Sequence, residues 1–253
     1  MESPLSRAIL FLTFVSFFIL LEYIIPSQKR NYKNRFKLNW ILLGLNIILI
    51  KIFFPLGIYK ITTSFDLLDL NIIKLSDLSP YLSIPLTIII FDFAIYLQHI
   101  MFHKDKFLWK THTIHHSDRS LDFSNGFRFH PAEIVISGAY KALLIIVFGP
   151  NILSFALYET ILNSMAIFNH SNIKINPTLD KYLKYIIVTP SFHRTHHSPK
   201  KQLTNSNFGN IFSFWDKVFR TYSPDENNDF GLEKKDSLDH ENIFSLLSYP
   251  FKK

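Results

Sequence analysis

The chain of 253 residues contains no cysteine. Disulfides, cysteine-ligated zinc and iron–sulfur clusters are therefore excluded, and any bound metal needs nitrogen and oxygen ligands. Glycine is also scarce, at 7 residues against 26 phenylalanines. Long runs of isoleucine, leucine and phenylalanine alternate with charged segments. The length is enough for one large domain or for a compact bundle of membrane helices.

Basic residues outnumber acidic ones, which gives a formal net charge of +7 and an isoelectric point near 9.4. No Arg/Gly or basic–aromatic motif accompanies this charge. Much of the charge lies beside apolar runs instead. This placement favours the anionic face of a membrane over nucleic acid as the partner.

Five apolar segments indicate helices embedded in a membrane, because one crossing needs about 20 mostly apolar residues. Residues 8–26, 39–59 and 81–102 are long enough to cross. A cleaved signal peptide is the alternative for residues 8–26, but the run is long for such a peptide and no small-x-small cleavage site follows it. The arms 132–148 and 151–169 are shorter, and we expect a hairpin that returns to the side from which it enters.

The connections between these segments set their orientation. Five basic residues between the first two spans mark the cytoplasmic side, namely Lys29, Arg30, Lys33, Arg35 and Lys37. The stretch 60–80 is expected to be a loop with some interfacial helix, and it carries Asp66, Asp69 and Asp77. Gly149–Pro150 is a strong turn signal between the hairpin arms. Lys141, within the first arm, has no explanation in the sequence. This topology brings every histidine cluster to one side of the membrane.

Ten of the eleven histidines lie between residues 99 and 197. The pattern H-x-x-H-H occurs at 112–116 and again at 193–197, and H-x-x-x-H occurs at 99–103. On a helix, residues three and four apart share a face, whereas adjacent residues diverge by about 100°. The adjacent histidines of each pattern can therefore address two metals, or one metal and a bridging position.

The number of imidazoles exceeds what one ion needs, since a tetrahedral zinc takes about four ligands. Eight histidines in the three clusters, or nine with His170, suit two ions of four to five ligands each. Burying so many unliganded imidazoles would be costly, which favours metal. For His130 and His240 a hydrogen-bonded role in the core is the better interpretation. Zinc hydrolysis, copper chemistry and iron-dependent oxygen activation stay open, although the H-E-x-x-H of zinc proteases is absent.

These motifs, in this order and spacing, resemble the fatty acid hydroxylase/sterol desaturase superfamily of membrane di-iron oxidases. The resemblance covers roughly residues 85–222 and rests on Asp92 and Tyr96 before His99 and His103, WKTHTIHHS at 109–117, RFHPAE at 128–133, FNHSN at 168–172, TPSFHRTHHS at 189–198, NFG at 207–209 and FWDKVFRTY at 214–222. The chain departs from the pattern at Arg220, where relatives commonly carry glycine before the Thr–Tyr pair.

The resemblance implies an all-α fold: an integral membrane bundle of about four membrane-embedded helices, with a cytoplasmic helical cap that carries a histidine-rich di-metal site. Residues 1–80 would form the N-terminal membrane helices and their loops, 81–222 the catalytic region and 223–253 a cytoplasmic tail. The implied cofactor is a pair of iron ions, with the ligands His99, His103, His112, His115, His116, His170, His193, His196 and His197. His130 would be a tenth ligand or join the side chains that orient the imidazoles, for which the candidates are Asp92, Asp118, Glu133, Asn169 and Asp216.

The implied reaction is O2-dependent hydroxylation or desaturation of a C–H bond in an apolar lipid that enters sideways from the bilayer. The chain has no flavin or nicotinamide fingerprint, so the electrons are expected from a separate reductase with a cytochrome or ferredoxin. The basic surface would suit an acidic donor. Two alternatives stay open. One is an ether-cleaving monooxygenase with the same site, and the other is a redox-silent membrane protein that binds or transports metal, with its ligands facing a pore.

Overall fold

The computed structural model describes residues 4–29, 33–54, 57, 60–62, 64, 71–225, 229–233 and 238–252. These residues form eleven α-helices and no strand, which confirms the all-α class. In chain order the helices are α1 (Pro4–Ile24), α2 (Lys33–Phe53), α3 (Pro80–Lys104), α4 (Lys106–His116), α5 (Pro131–Phe148), α6 (Ile152–His170), α7 (Pro177–Leu183), α8 (Pro190–His196), α9 (Lys201–Thr204), α10 (Phe214–Val218) and α11 (Ile243–Ser248).

Four of these helices are long and apolar enough to cross a membrane, which confirms the expected membrane bundle. They are α2 over Arg35–Phe53 and the full lengths of α3, α5 and α6. The expected first span corresponds to α1, whose described apolar part, Leu12–Ile24, is shorter. The expected hairpin arms are α5 and α6.

The second span differs from its expected bounds of 39–59, since α2 ends at Phe53. Pro55 explains the earlier end, because proline disfavours helical geometry at the residue before it. Of the charged residues assigned to the connections, Asp77 ends a 3-10 turn at Leu75–Asp77. Three others, Arg30, Asp66 and Asp69, lie outside the described residues.

The turn between α5 and α6 requires glycine. Gly149 ends α5 in the left-handed region, with φ of +48°, and a β-carbon there would lie 2.7 Å from the side chain of Asn71. The side chain of Asn151 then caps α6 by accepting a hydrogen bond from the backbone N–H of Ser154. The chain therefore reverses tightly, and α6 returns to the end of the bundle where α5 begins.

Three apolar clusters hold the bundle together. The largest joins α3, α5 and α6 around Phe91, Ile145 and Phe155. A second packs α1 and α2 against residues 123–127. The third places Leu246 of α11, which is fully buried, against Leu42 and Ile114. The C-terminal segment thus packs on α2 and α4.

Arg35 corrects one interpretation of the basic connection. It was counted among five basic residues of a connection that marks the cytoplasmic side, yet it is only 4% exposed. Its guanidinium donates to Asp118 at 2.8 Å and also to Asp122. Burial alone would raise the pKa of Asp118, but the charges of Arg35 and Arg128 bring it below its usual value. Arg35 therefore fixes the loop that follows α4.

Candidate metal centre

The ends of four helices bring nine histidines together. His99 and His103 lie in the last turns of α3, and His170 is the last residue of α6. The first H-x-x-H-H pattern ends α4, and the second occupies α8 and the residue after it. All nine predicted ligand residues therefore meet at one end of the bundle.

The nine imidazoles form two neighbouring groups, and within each group one ligand atom per residue lies within 4.8 Å of all the others. The five-histidine group contains His99, His103, His112, His116 and His196. The four-histidine group contains His115, His170, His193 and His197. His103 is half-buried and the other eight are buried.

The two H-x-x-H-H patterns contribute to these groups in opposite ways. In the first, His112 and His116 join the five-histidine group while His115 joins the other. In the second, the outer pair joins the four-histidine group while His196 joins the larger one. Helix geometry explains the division, because positions i and i+4 share a face while position i+3 lies about 100° away from i+4.

The spacing of the ring nitrogens fits metal ions. Nε2 of His170 lies 3.0 Å from Nε2 of His115 and of His193, and 3.1 Å from Nε2 of His197. In the other group, Nε2 of His99 lies 3.0 Å from that of His196. Two nitrogens bound at about 2.1 Å to one ion lie about 3.0 Å apart at a right angle and about 3.4 Å apart in a tetrahedron. The spacing in both groups lies close to these ligand–ligand distances.

Backbone carbonyls fix which nitrogen of several rings carries the proton. Nδ1 of His99 donates to the carbonyl of Phe208 at 2.8 Å, and Nδ1 of His196 donates to that of Ser206 at 2.7 Å. In the four-histidine group, Nδ1 of His170 donates to a carbonyl one turn earlier at 2.7 Å. A neutral imidazole whose Nδ1 bears the proton presents a lone pair at Nε2. Such lone pairs facing one another at 3.0 Å would repel without a cation between them.

Burial keeps these imidazoles neutral. It is the main cause that lowers the pKa of His196 to about 3, and neighbouring imidazoles add to the effect. Burial also lowers the pKa values of His115, His116, His193 and His197 well below the ordinary value, again with support from nearby histidines. At pH 7 such rings are unprotonated, as metal ligands must be. Both ring nitrogens of His116 have no hydrogen-bond partner among the described residues.

A short loop holds the carbonyls that orient His99 and His196. Asn207 lies between Ser206 and Phe208 in the left-handed region, with φ of +56°. Asp216 accepts hydrogen bonds from the backbone N–H groups of Phe208 at 2.7 Å and of Gly209 at 2.8 Å. A β-carbon at Gly209 would lie 2.6 Å from a backbone oxygen and 3.0 Å from Asp216. Glycine is therefore required for this close approach.

Of the side chains expected to orient imidazoles, one contacts a histidine ring and two contact the backbone of the 206–212 loop. Glu133 accepts a hydrogen bond from Nδ1 of His112 at 2.7 Å. Asp92 binds the backbone N–H groups of Ile211 and Phe212 and the indole of Trp215. Asp92 and Asp216 thus hold the loop rather than a ring.

Three other candidates contact no imidazole in the hydrogen bonds of the described residues. Asp118 pairs with Arg35, as above, and Asn169 donates to the carbonyl of Asn210 at 2.7 Å. His130 caps α5 by accepting from the N–H of Ala132, and its other nitrogen contacts the carbonyl of Leu247. His130 lies in neither histidine group, so it is a helix cap rather than a tenth member.

Among the cavities that reach the histidines, two have contrasting linings. One, of about 180 Å³, lies between α3, α5 and α6 and touches both groups. The other, of about 280 Å³, reaches only His103 among the nine histidines and is lined mostly by residues beyond the end of α3, including Trp109 and Lys201. The first cavity faces the membrane helices, and the second opens beside lysines.

Comparison with known proteins identifies what the chain resembles. The family model described as fatty acid hydroxylase matches residues 84–221. The chain is 28% identical over 165 residues to alkylglycerol monooxygenase of Caenorhabditis elegans, which covers 63% of this chain and 30% of that protein. It is 28% identical over 131 residues to the human protein of that name, covering 52% and 28%. It is 27% identical over 137 residues to ornithine lipid hydroxylase OlsE of Rhizobium tropici, covering 54% and 40%. The matches thus span less than half the length of these relatives, and no solved structure matches the chain.

Proposed function

The chain belongs to the fatty acid hydroxylase family, and on this premise we propose that it is a membrane-bound di-iron oxidase that uses O2 and external electrons to hydroxylate a C–H bond of a lipid. The observation that carries the proposal is the convergence of nine imidazoles in two groups with Nε2 atoms about 3 Å apart. The five-histidine and four-histidine groups would each hold one iron.

The chain's own residues would position and protect these ions. Two iron ions, when bound, supply the activation of O2 that no side chain provides. Glu133 holds His112, and the loop carbonyls of Ser206 and Phe208 hold His196 and His99, so that their Nε2 lone pairs point inward. The apolar walls of the membrane-side cavity would exclude water and hold the lipid carbon beside both groups.

The reaction balances as a monooxygenation. A C–H bond, O2, two electrons and two protons give C–OH and one water. The relatives named alkylglycerol monooxygenase favour a second candidate with the same first step. Hydroxylation of the carbon next to an ether oxygen gives a hemiacetal, which separates into an aldehyde and an alcohol.

Electrons would arrive from a separate acidic protein at the second cavity. Lys104, Lys106 and Lys201 line it around the half-buried His103, with Asp105 and Glu233 as the acidic lining residues. A basic rim steers an acidic partner and gives a salt-dependent association rate. The part of this rim beyond Lys104 lies outside the candidate spans, and its lysines beside the end of a span support a cytoplasmic location for the centre.

The metal-transport alternative expects ligands along a path through the bilayer. The nine histidines of the two groups instead lie at one end of the helices. An oxidase also needs a lipid-facing cavity that touches the ligands, and the cavity between α3, α5 and α6 does so.

Metal analysis with O2 uptake tests the proposal. The purified full chain should bind about two irons and consume O2 when reduced in the presence of lipid. His196→Ala and His115→Ala should abolish turnover, because each removes a ligand from one group. His240→Ala, outside both groups, is the control and should retain activity. A single redox-silent ion, or turnover in either cluster variant, would contradict the proposal.

The donor surface has its own test. Lys106→Glu and Lys201→Glu should slow reduction by an acidic cytochrome or ferredoxin, and the wild-type rate should fall as salt is raised. Lys181→Glu, at an exposed position on α7, is the matched control. Equal rates for all three variants would reject this surface.

A further inference from the structure

The membrane-side cavity has a more polar lining than a pure alkyl chain requires. Ile95, Phe102 and Leu162 form apolar walls suited to a hydrocarbon. Between them the lining also carries Glu133, Ser137, Lys141, Asn163, Asn169 and Asn210. Polar side chains at membrane depth are costly and usually mark a functional site.

Asn169 presents an unmet acceptor to this cavity. The residue is 3% exposed, and its Nδ2 donates to the carbonyl of Asn210 at 2.7 Å. That bond fixes the orientation of the amide, so Oδ1 is the remaining atom, and it has no partner among the described residues. Nδ2 of Asn210 likewise lacks a partner there. A buried group left in this state costs free energy, so a ligand that pairs with it is stabilised.

The chemistry of these two atoms selects a hydroxyl group. Oδ1 of Asn169 needs a donor, which ether, ester and fully ionised phosphate oxygens cannot supply. A hydroxyl can donate to Oδ1 and accept from Nδ2 of Asn210 at the same time. His170 and His193 line the same cavity, so the hydroxyl would lie beside the four-histidine group.

The charged side chains of the cavity do not favour an anionic head group, so only the proposed iron ions would attract one. Lys141 extends from α5, but its ammonium pairs with Glu159 of α6 at 2.9 Å. The pair is neutral as a whole and leaves no free cation for a phosphate. The carboxylate of Glu133 also lines the cavity and would repel one. The ion pair thereby accounts for Lys141, which the sequence left unexplained.

We propose that this cavity is a head-group site for an uncharged, hydroxyl-bearing lipid, with Asn169 and Asn210 as its specificity-determining residues. The inferred oxidation of this lipid rests on the proposed function. Binding of the lipid in the cavity does not depend on it. It narrows the substrate class to lipids whose hydroxyl lies next to the oxidised carbon.

A matched ligand series tests the site without any variant. The iron-loaded full chain in detergent, without O2, is titrated with a 1-O-alkylglycerol, with its di-O-methyl analogue and with its phosphate ester, each displacing the radiolabelled parent. The diol should bind about 3- to 10-fold more tightly than the methylated analogue, since a methyl ether cannot donate to Asn169, although it can still accept from Asn210. Equal affinities would mean that water satisfies Asn169, and would overturn the inference.

Variants then assign the selectivity to residues. Asn169→Leu should weaken binding of the diol roughly 3- to 10-fold and leave the methylated analogue unaffected. Asn210→Leu should weaken binding of both ligands, because each offers an oxygen that accepts from Nδ2. Glu159→Gln frees the charge of Lys141, so it should tighten binding of the phosphate ester several-fold. Glu241→Gln, at an exposed position, is its control. Unchanged selectivity in Asn169→Leu and Glu159→Gln would reject the site.

Bound iron, measured in each variant, separates a head-group effect from loss of the centre. Selective binding of the diol without turnover would contradict the proposed oxidase and support the head-group site. Turnover without selectivity would contradict the head-group site alone.

Discussion

Removing Arg35 should destabilise the protein far more than removing any exposed charge on the same helix. Nε of Arg35 donates to both oxygens of Asp118, at 2.8 and 2.9 Å, and its other nitrogens contact Asp122, the carbonyl of Ser120 at 2.7 Å and Oδ1 of Asn125 at 2.8 Å. Arg35→Ala leaves Asp118 and Asp122, which are 2% and 3% exposed, without this counter-charge. Breaking a buried pair in this way costs about 3–5 kcal/mol.

The expected loss can be measured by thermal unfolding in detergent. For a chain of this size, 3–5 kcal/mol corresponds to a fall in Tm of roughly 6–20 °C. Arg35→Lys keeps the charge but loses the planar fork, so its Tm should lie between those of the wild type and Arg35→Ala. Lys37→Ala, at an exposed position on the same helix, should change stability by less than about 0.5 kcal/mol. Equal Tm values for Arg35→Ala and Lys37→Ala would refute the reasoning.

Three further predictions concern single positions. Arg220 has φ of +59°, so Arg220→Gly should relieve left-handed strain and raise stability by about 1 kcal/mol, and an unchanged Tm would contradict this. Glu133→Ala should weaken metal affinity about 10- to 100-fold in an Fe(II) titration of the metal-free chain, and wild-type affinity would count against its orienting role. Gly209→Ala places a β-carbon 2.6 Å from the carbonyl of Phe212 and should reduce bound iron, whereas Gly44→Ala, with nothing within 4 Å, should not.

The sequence predicted those features of the histidine centre that depend on residue type and on spacing within one helix. Ten of its histidines are confined to one stretch, and spacings of three and four are a property of one helix, so both the number of imidazoles and their division into two groups could be anticipated. The membrane helices could be predicted because length and apolar composition are likewise properties of a single segment. Glu133, a candidate from the family resemblance, is the one among the proposed orienting acids that contacts an imidazole in the described residues.

What the sequence did not reveal depends on contacts between distant segments. The carbonyls of Ser206, Phe208 and Arg128 orient three rings, but every residue type has a carbonyl, so no pattern marks these positions. Arg35 was interpreted as a charge of the basic connection because its partner Asp118 lies 83 residues away in the sequence. Lys141 had no visible partner in the sequence because Glu159, with which it forms an ion pair, lies on the other arm of the hairpin.

The opposite division of the two H-x-x-H-H patterns couples the two histidine groups. Helix α4 and the segment of α8 with His197 each supply histidines to both groups, so neither can shift without disturbing both. The residues that orient the imidazoles are also linked to one another. His115 donates to the carbonyl of Arg128, and the loop before that residue is fixed by Arg35. Two separate four-ligand sites on separate helices could be filled one at a time. Two groups interleaved on the same short helices would form together, which suits the proposed reaction at a pair of metal ions.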